Sequence, residues 1–423
     1  MDELELRKKV RDIMFLNLQA GYSHYLKTHY VYNKPSFEKY PYQWWWDTCF
    51  HIYILCALGE YELAKQNLMS LFAMQEPDGF VGHMVYWQLL LPKNIFTIIE
   101  AKRPRGYLRP HMSALVQPSF VAQSLERIYE KTGDGEFLRL MLPKIKKYHK
   151  WVISNRTFDG DSLITIIAPV ESGIDWKPSY DEVLKFSGGP ANWKLYFKML
   201  FSQTRNFFDR YDLKRIRNAN RFLVKDVGIN TINALDLYAL SRLCEIANDD
   251  DGESYKAHAI KMSTRMLEVM YDEADDAFYD VYGPDNIKLK VITPTALFPI
   301  VLPKVPTDLS KKMIMRYLNS EEHFALPFPI PSVSKSEKSF VPDRQHFRGQ
   351  DFLWRGPTWA FYNWFLFRCL KEEGFVDEAI KLRKVVISLI ERSGFREYYN
   401  PFTGEGYGAE RFTWSGLVLD MEI

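Results

Sequence analysis

The chain has 423 residues, 47% of them apolar and 15% aromatic, with 55 basic and 53 acidic side chains giving a formal charge of +2. That much apolar surface supports a large core and excludes general disorder, and the balanced charge leaves no basic footprint for nucleic acid. No run reaches the ~18 apolar residues of a membrane span.

The charged start, Met1 to Lys9, reads as an amphipathic helix without the apolar stretch of a signal peptide. A cytoplasmic protein with no membrane partner is expected. Cys49, Cys56, Cys244 and Cys369 form no CxxC pair, and the nine histidines contain no HExxH. No disulfide framework, metal or cofactor is therefore expected.

Helical periodicity dominates the chain. It predicts helices from Glu3 to Tyr22, from Asp47 to Leu58 and, after the break at Gly59-Glu60, from Tyr61 to Met74, ending at the turn Pro77-Asp78-Gly79-Phe80. The same pattern returns three times. Gln117-Pro118 opens a helix that ends at Thr132-Gly133-Asp134-Gly135, followed by Glu136 to Ser154. Ile229 to Ala247 breaks at Asp249-Asp250-Asp251-Gly252 and continues as Glu253 to Tyr271. Pro357 to Glu373 breaks at Gly374, and Val376 to Arg392 closes at Ser393-Gly394-Phe395. Pieces at Leu195 to Phe208, Thr307 to Leu318 and Phe412 to the C-terminus bring the expected total to about twelve.

Repeated helical hairpins bury their apolar faces only by stacking or closing into a ring. An open α-solenoid is one solution. The long, aromatic, non-repeating loops Gln88 to His111 and Glu321 to Arg355 favour the other. This is an all-α (α/α)6 toroid, one domain over 1–423, with its loops gathered at one mouth.

The helix entries carry the chemistry. Tyr42-Gln43-Trp44-Trp45-Trp46-Asp47 puts three tryptophans and an acid before the second helix; Asp47 suits an N-cap, and adjacent tryptophans cannot all face one core. In Gly82-His83-Met84-Val85-Tyr86-Trp87, His83 alone suits a hydrogen-bonded structural role. Glu171-Ser172-Gly173-Ile174-Asp175-Trp176 fits a carboxyl held protonated against an apolar ring, or a solvent loop with a capping Asp. Trp354-Arg355-Gly356-Pro357-Thr358-Trp359 offers a helix start at Pro357 and a donor in Arg355. Arg396-Glu397-Tyr398-Tyr399, Thr403-Gly404-Glu405-Gly406-Tyr407-Gly408 and Phe412-Thr413-Trp414 combine acids, aromatics and glycines, as a carbohydrate site or an aromatic turn would.

Together these segments resemble the inverting (α/α)6 glycosidases of the trehalase and family 63 type. Trp45 to Asp47 is similar to W-D-S/T, Gln117-Pro118 with Arg127 to Asp134 to Q-P…R-I-Y-E-K-T-G-D, and Glu171 to Trp176 to E-S-G-W-D with Ile174 in place of Trp. Trp354 to Trp359 is similar to W-R-G-P-x-W, and Arg396 to Tyr399 contains the E-x-Y segment. The resemblance implies Asp175 as general acid and Glu397 as general base, with Glu171, Glu405 and Glu410 as competing acids. It implies sugar stacking by Trp44, Trp46, Trp176 and Trp359, and hydroxyl bonding by Asp47, Gln117 and Glu171. Tyr42, Gln43, His83, Gly356, Glu405 and Trp414 complete the implied substrate shell.

The short glycine segment, the absent leader and the small size point to the compact prokaryotic family 63 enzymes that hydrolyse mannosylglycerate or glucosylglycerate. For a glycerate carboxylate, Arg355, Arg109 and His111 are the candidate partners. The expected partner is thus a small carbohydrate and the expected reaction hydrolysis of a small α-glucoside or α-mannoside without a cofactor. A trehalase or α-glucosidase, a non-catalytic carbohydrate-binding toroid, and a lyase or epimerase using His83 or His111 are the rival readings. Nothing in the sequence reports the sugar or the oligomeric state.

Overall fold

A computed structural model describes the chain except Tyr25, 88–94, 103–110, Asp159 and Ile423. Its helices are α1 (Glu3–Leu16), α2 (Trp45–Leu58), α3 (Tyr61–Ala73), α4 (Ile95–Glu100), α5 (Val121–Thr132), α6 (Gly135–Arg156), α7 (Trp193–Phe208) and α8 (Leu213–Ala219). They continue as α9 (Val227–Ala247), α10 (Gly252–Val269), α11 (Thr307–Met313), α12 (Ala360–Glu372) and α13 (Val376–Ser393). Two longer 3₁₀ stretches, Pro294–Val301 and Thr413–Asp420, serve as further helical elements.

Six elements form an inner ring. α2 packs on α5, α5 on α9, α9 on Pro294–Val301, that stretch on α12, α12 on Thr413–Asp420, and Thr413–Asp420 back on α2. Each has an outer partner: α1, α3, α6, α10, α11 and α13 lie against the ring in turn. This is an (α/α)6 toroid.

The two rings differ in sequence for a physical reason. An inner helix is covered on every side, so α2 is buried continuously from Trp45 to Cys56. An outer helix has one wet face and an apolar stripe. In α1 the stripe is Leu6, Val10 and Met14; in α13 it is Ala379, Leu382, Val386, Leu389 and Ile390.

Polar bonds fix the closure. Asp420 accepts from Arg127 of α5 at 2.6 Å and from Trp364 of α12 at 2.8 Å, and His51 of α2 meets Thr413 at 2.8 Å. Asp236 of α9 caps α5 through the Gln123 N–H at 2.9 Å and also holds Ser119 and His149.

The predicted helices are found, but α5 starts at Val121 rather than at Gln117-Pro118, and α12 starts at Ala360 with Trp359 as its cap, so Pro357 precedes the helix instead of opening it. Three further differences concern form and length. α1 stops at Leu16 because its apolar stripe ends at Met14, and Leu18–Ser23 pairs instead with Thr28–Asn33 as a hairpin. The 307–318 helix widens into a π turn over Ile314–Leu318. The last expected helix is 3₁₀ in form. Several small antiparallel sheets, unforeseen in the helical pattern, lie in the connections. Among the described residues, no helix is long and apolar enough to cross a membrane.

Candidate active site

The inner elements α2, α5, α12 and Thr413–Asp420 begin at the same end of the ring, which is where a cavity of about 400 Å³ opens. Trp44, Trp46 and Asp47 line it from the start of α2, Gln117 from the segment before α5, Trp359 from the cap of α12, and Trp414 from the last element. Tyr42, Asp175, Trp176 and Glu397 complete the predicted residues on its wall. Neighbouring tryptophans split as their spacing requires. Trp45 is fully buried against Tyr148, ring centroids 4.2 Å apart, while the residues on either side face the cavity.

Asp175 sits on a segment clamped from both sides. Lys177 reaches Asp226 at 2.6 Å and Asp280 at 2.9 Å, both fully interior. Asp226 is also the N-cap of α9, accepting from the Ile229 N–H at 2.8 Å and the Tyr180 hydroxyl at 2.8 Å. Arg355 forms a fork on Asp181 at 2.9 and 2.7 Å and donates to the Trp176 carbonyl at 3.1 Å. Glu171 takes Arg156 at 2.5 and 3.1 Å, with the Val116 and Ile167 N–H groups. At Gly173 the backbone turns with φ of 73°, and an added Cβ would lie 2.5 Å from the Trp46 ring, so only glycine lets that cavity wall close.

No cation within this clamp is directed at Asp175 itself. Burial pushes its carboxyl up to about 6; the Trp354 indole eases the shift and the nearby Glu397 charge adds to it. Burial likewise pushes Asp47 up to about 7 despite a 2.7 Å bond from the Trp414 indole N–H. Asp47 therefore acts as a wall group in the first turn of α2, not as its N-cap, which is Trp44. Glu100, at the end of α4, is held well above the carboxylate range by burial and by the charge of Asp175.

Glu397 has the opposite setting. It lies on Arg396–Tyr399, paired with Gly406–Glu410, and is 2% exposed. Its oxygens accept from Lys39 Nζ at 2.9 Å, the Tyr40 hydroxyl at 2.5 Å and the Ala409 N–H at 2.8 Å. Gly408, φ 69°, lets the opposing strand approach, since a Cβ there would lie 2.5 Å from Glu397 Oε2.

Six of the expected substrate groups do not line the cavity. Glu171 and Arg355 are consumed by the ion pairs above, and Gly356 packs its backbone against Val341. Gln43 is buried between the Asn67 carbonyl and the Trp87 indole. His83 meets Ser113 at 2.6 Å, and burial pushes its imidazole down to about 3. Glu405 is exposed on the hairpin turn, accepting from Tyr407. Of the other carboxylate partners considered, His111 is absent from the lining and Arg109 lies outside the described residues. Glu410 is exposed and paired with Arg396.

Sequence reasoning missed Lys39, Tyr40, Glu100, Asp351 and Trp354. Trp354 had a signal in its stacking partner Trp359, 3.7 Å between centroids, but its φ of 67° is a left-handed setting that a bulky residue rarely occupies.

A model described as a mannosylglycerate hydrolase MGH1-like glycoside hydrolase domain matches residues 40–415. The chain belongs to that family. It is an O-glycoside hydrolase, and its relatives in the family cover nearly its full length. A mannosylglycerate hydrolase of Thermus thermophilus is 29% identical, over 92% of this chain and 95% of its own. The glucosylglycerate hydrolase of Mycolicibacterium hassiacum is 25% identical, over 90% and 92%. The crystal structure of a GH63 mannosylglycerate hydrolase, from a second strain of Thermus thermophilus and in complex with Tris and D-glycerate, superposes with a TM-score of 0.79 at 26% identity. That match covers 98% of this chain and 99% of the other.

Proposed function

We propose that this glycoside hydrolase is an exo-acting, inverting α-glycosidase for a small glucoside or mannoside of glycerate, with Asp175 as general acid and Glu397 as general base. The carrying observation is that one cavity holds two buried carboxyls in contrasting settings, Asp175 raised towards neutrality and Glu397 surrounded by three donors. A protonated carboxyl can deliver its proton to the glycosidic oxygen as the C–O bond breaks. An ionised carboxylate can take a proton from water as that water attacks the anomeric carbon from the opposite face. In inverting enzymes the two groups stand about 6.5–9.5 Å apart to leave room for the water.

Trp44, Trp46, Trp176, Trp359 and Trp414 supply flat apolar surface for a sugar ring, and Asp47 and Gln117 supply hydroxyl partners. The glycerate aglycone is supported by the names of the relatives and by the D-glycerate bound in the structural neighbour. The test is proton NMR of the sugar first released from an α-linked substrate. The β-anomer is expected before mutarotation; initial α-anomer would rule out inversion.

A further inference from the structure

The cavity has an acidic wall. Asp47, Glu100, Asp175, Asp351 and Glu397 all face it, and a carboxylate ligand gains no counter-charge from such a wall, so it needs a cation to receive it. Among the described residues on the wall, the cations are Lys39 and Arg348. Lys39 is committed to Glu397 at 2.9 Å and Asp351 at 3.3 Å. Arg348 forms no hydrogen bond or ion pair with a described residue; its guanidinium lies 5.6 Å from the ring centres of both Phe197 and Phe347.

The backbone presenting Arg348 is specialised. His346–Phe347 pairs with Gln350–Asp351, so Arg348 and Gly349 form a two-residue turn with φ of 49° and 76°. Both values are positive, the condition of a type I′ hairpin, where Asn or Asp normally precedes Gly. An arginine at such a position is unfavourable for the turn itself. The hairpin is held at its base, where Asp351 is 3% exposed and takes Arg344 at 2.8 Å as well as Lys39. The tip is thus tied to the Glu397 side of the site, and its guanidinium has no hydrogen-bond or ion-pair partner among the described residues.

We propose that Arg348 receives the carboxylate of the aglycone and selects glycosides of small hydroxy acids over those of neutral polyols. This rests on the glycosidase reading above. A guanidinium offers two parallel N–H donors to a carboxylate, which a neutral aglycone cannot use equally. Arg348 is a specificity-determining binding residue and takes no part in the proton transfers.

The experiment compares kcat/KM of the wild-type enzyme, Arg348→Gln and Arg348→Lys on the matched α-glycosides of glycerate and glycerol, alongside calorimetric titration of each protein with D-glycerate. Arg348→Gln is expected to lower the glycerate-over-glycerol preference about ten-fold or more, chiefly through KM, and to weaken D-glycerate binding. Arg348→Lys should retain part of both. Raising salt from about 50 to about 500 mM should narrow the wild-type preference. A preference in Arg348→Gln within two-fold of wild type overturns the proposal. If the wild-type enzyme cleaves neither glycoside, the glycerate-glycoside reading falls and the titration decides Arg348 separately. Weaker D-glycerate binding in Arg348→Gln then supports it, and unchanged or absent binding overturns it.

Discussion

The segment carrying Asp175 and the hairpin carrying Glu397 border the same cavity, yet they hold their acids by different means. The first is fixed through its flanks: Glu171, Lys177 and Asp181 each sit in a buried ion pair, and among the described residues no cation forms an ion pair with Asp175 itself. The second is fixed through the acid, because Lys39, Tyr40 and the Ala409 N–H bond directly to Glu397. Charges on neighbouring residues can position a carboxyl without neutralising it; charges on the carboxyl itself favour the ionised form. Under the proposed assignment, that difference lets a proton donor and a proton acceptor share one cavity.

Loss of either acid should have the largest effect. Asp175→Asn and Glu397→Gln should each lower kcat on the glycerate glycoside by about three orders of magnitude or more, with circular dichroism unchanged. Next comes the clamp. Arg355→Met leaves Asp181 unpaired in the interior and should reduce unfolding free energy by about 3–5 kcal/mol, read by urea titration, with a fall in kcat as the Asp175 segment loosens. Adding Asp181→Leu should restore much of the stability. If Arg355→Met left both stability and kcat unchanged, the flank-held description would be wrong. On the other side, Tyr40→Phe removes one of three bonds to Glu397 and should cost about ten-fold in kcat with stability little changed; a large stability loss would erase the contrast between the two regions.

The smallest effect concerns pH and stability. The Asp175 carboxyl is raised from 3.8 to about 6 in the folded chain, so between those values the native state binds more protons than the unfolded state. Its contribution to stability is therefore largest below pH 4 and is lost as pH rises through about 6. Asp175→Asn escapes this loss. It should melt about 2 °C above wild type at pH 7.5 and gain nothing at pH 4, as differential scanning calorimetry would show. A gain equal at both pH values would assign the effect to packing instead.

Much of the ring was legible because helical spacing is a local property. The boundaries of α2, α3 and α13 fall within two residues of those expected from apolar periodicity and Gly or Asp punctuation. The triple tryptophan also announced a cavity, since Trp44 and Trp46 face it while Trp45 does not. Sequence motifs carried less about which polar groups reach the cavity. Glu171 and Arg355 stand beside Asp175 and Trp354 in the chain, but their partners, Arg156 and Asp181, were not recognisable until the loops were brought together. Lys39, Tyr40 and Asp351 were missed for the converse reason. They occur in unremarked loop sequence and acquire a role only where Lys39 and Tyr40 meet Glu397 and Lys39 also reaches Asp351.

The division of labour between the two acids is tested most directly with an α-glycosyl fluoride of the preferred sugar, whose leaving group departs without protonation. Relative to wild type, Asp175→Asn should lose far less on the fluoride than on the glycerate glycoside, because the missing proton donor no longer matters. Glu397→Gln should remain about three orders of magnitude impaired in hydrolysing both, since water must still be activated. The reverse pattern, or equal impairment of the two variants on both substrates, would contradict the assignment of Asp175 as acid and Glu397 as base.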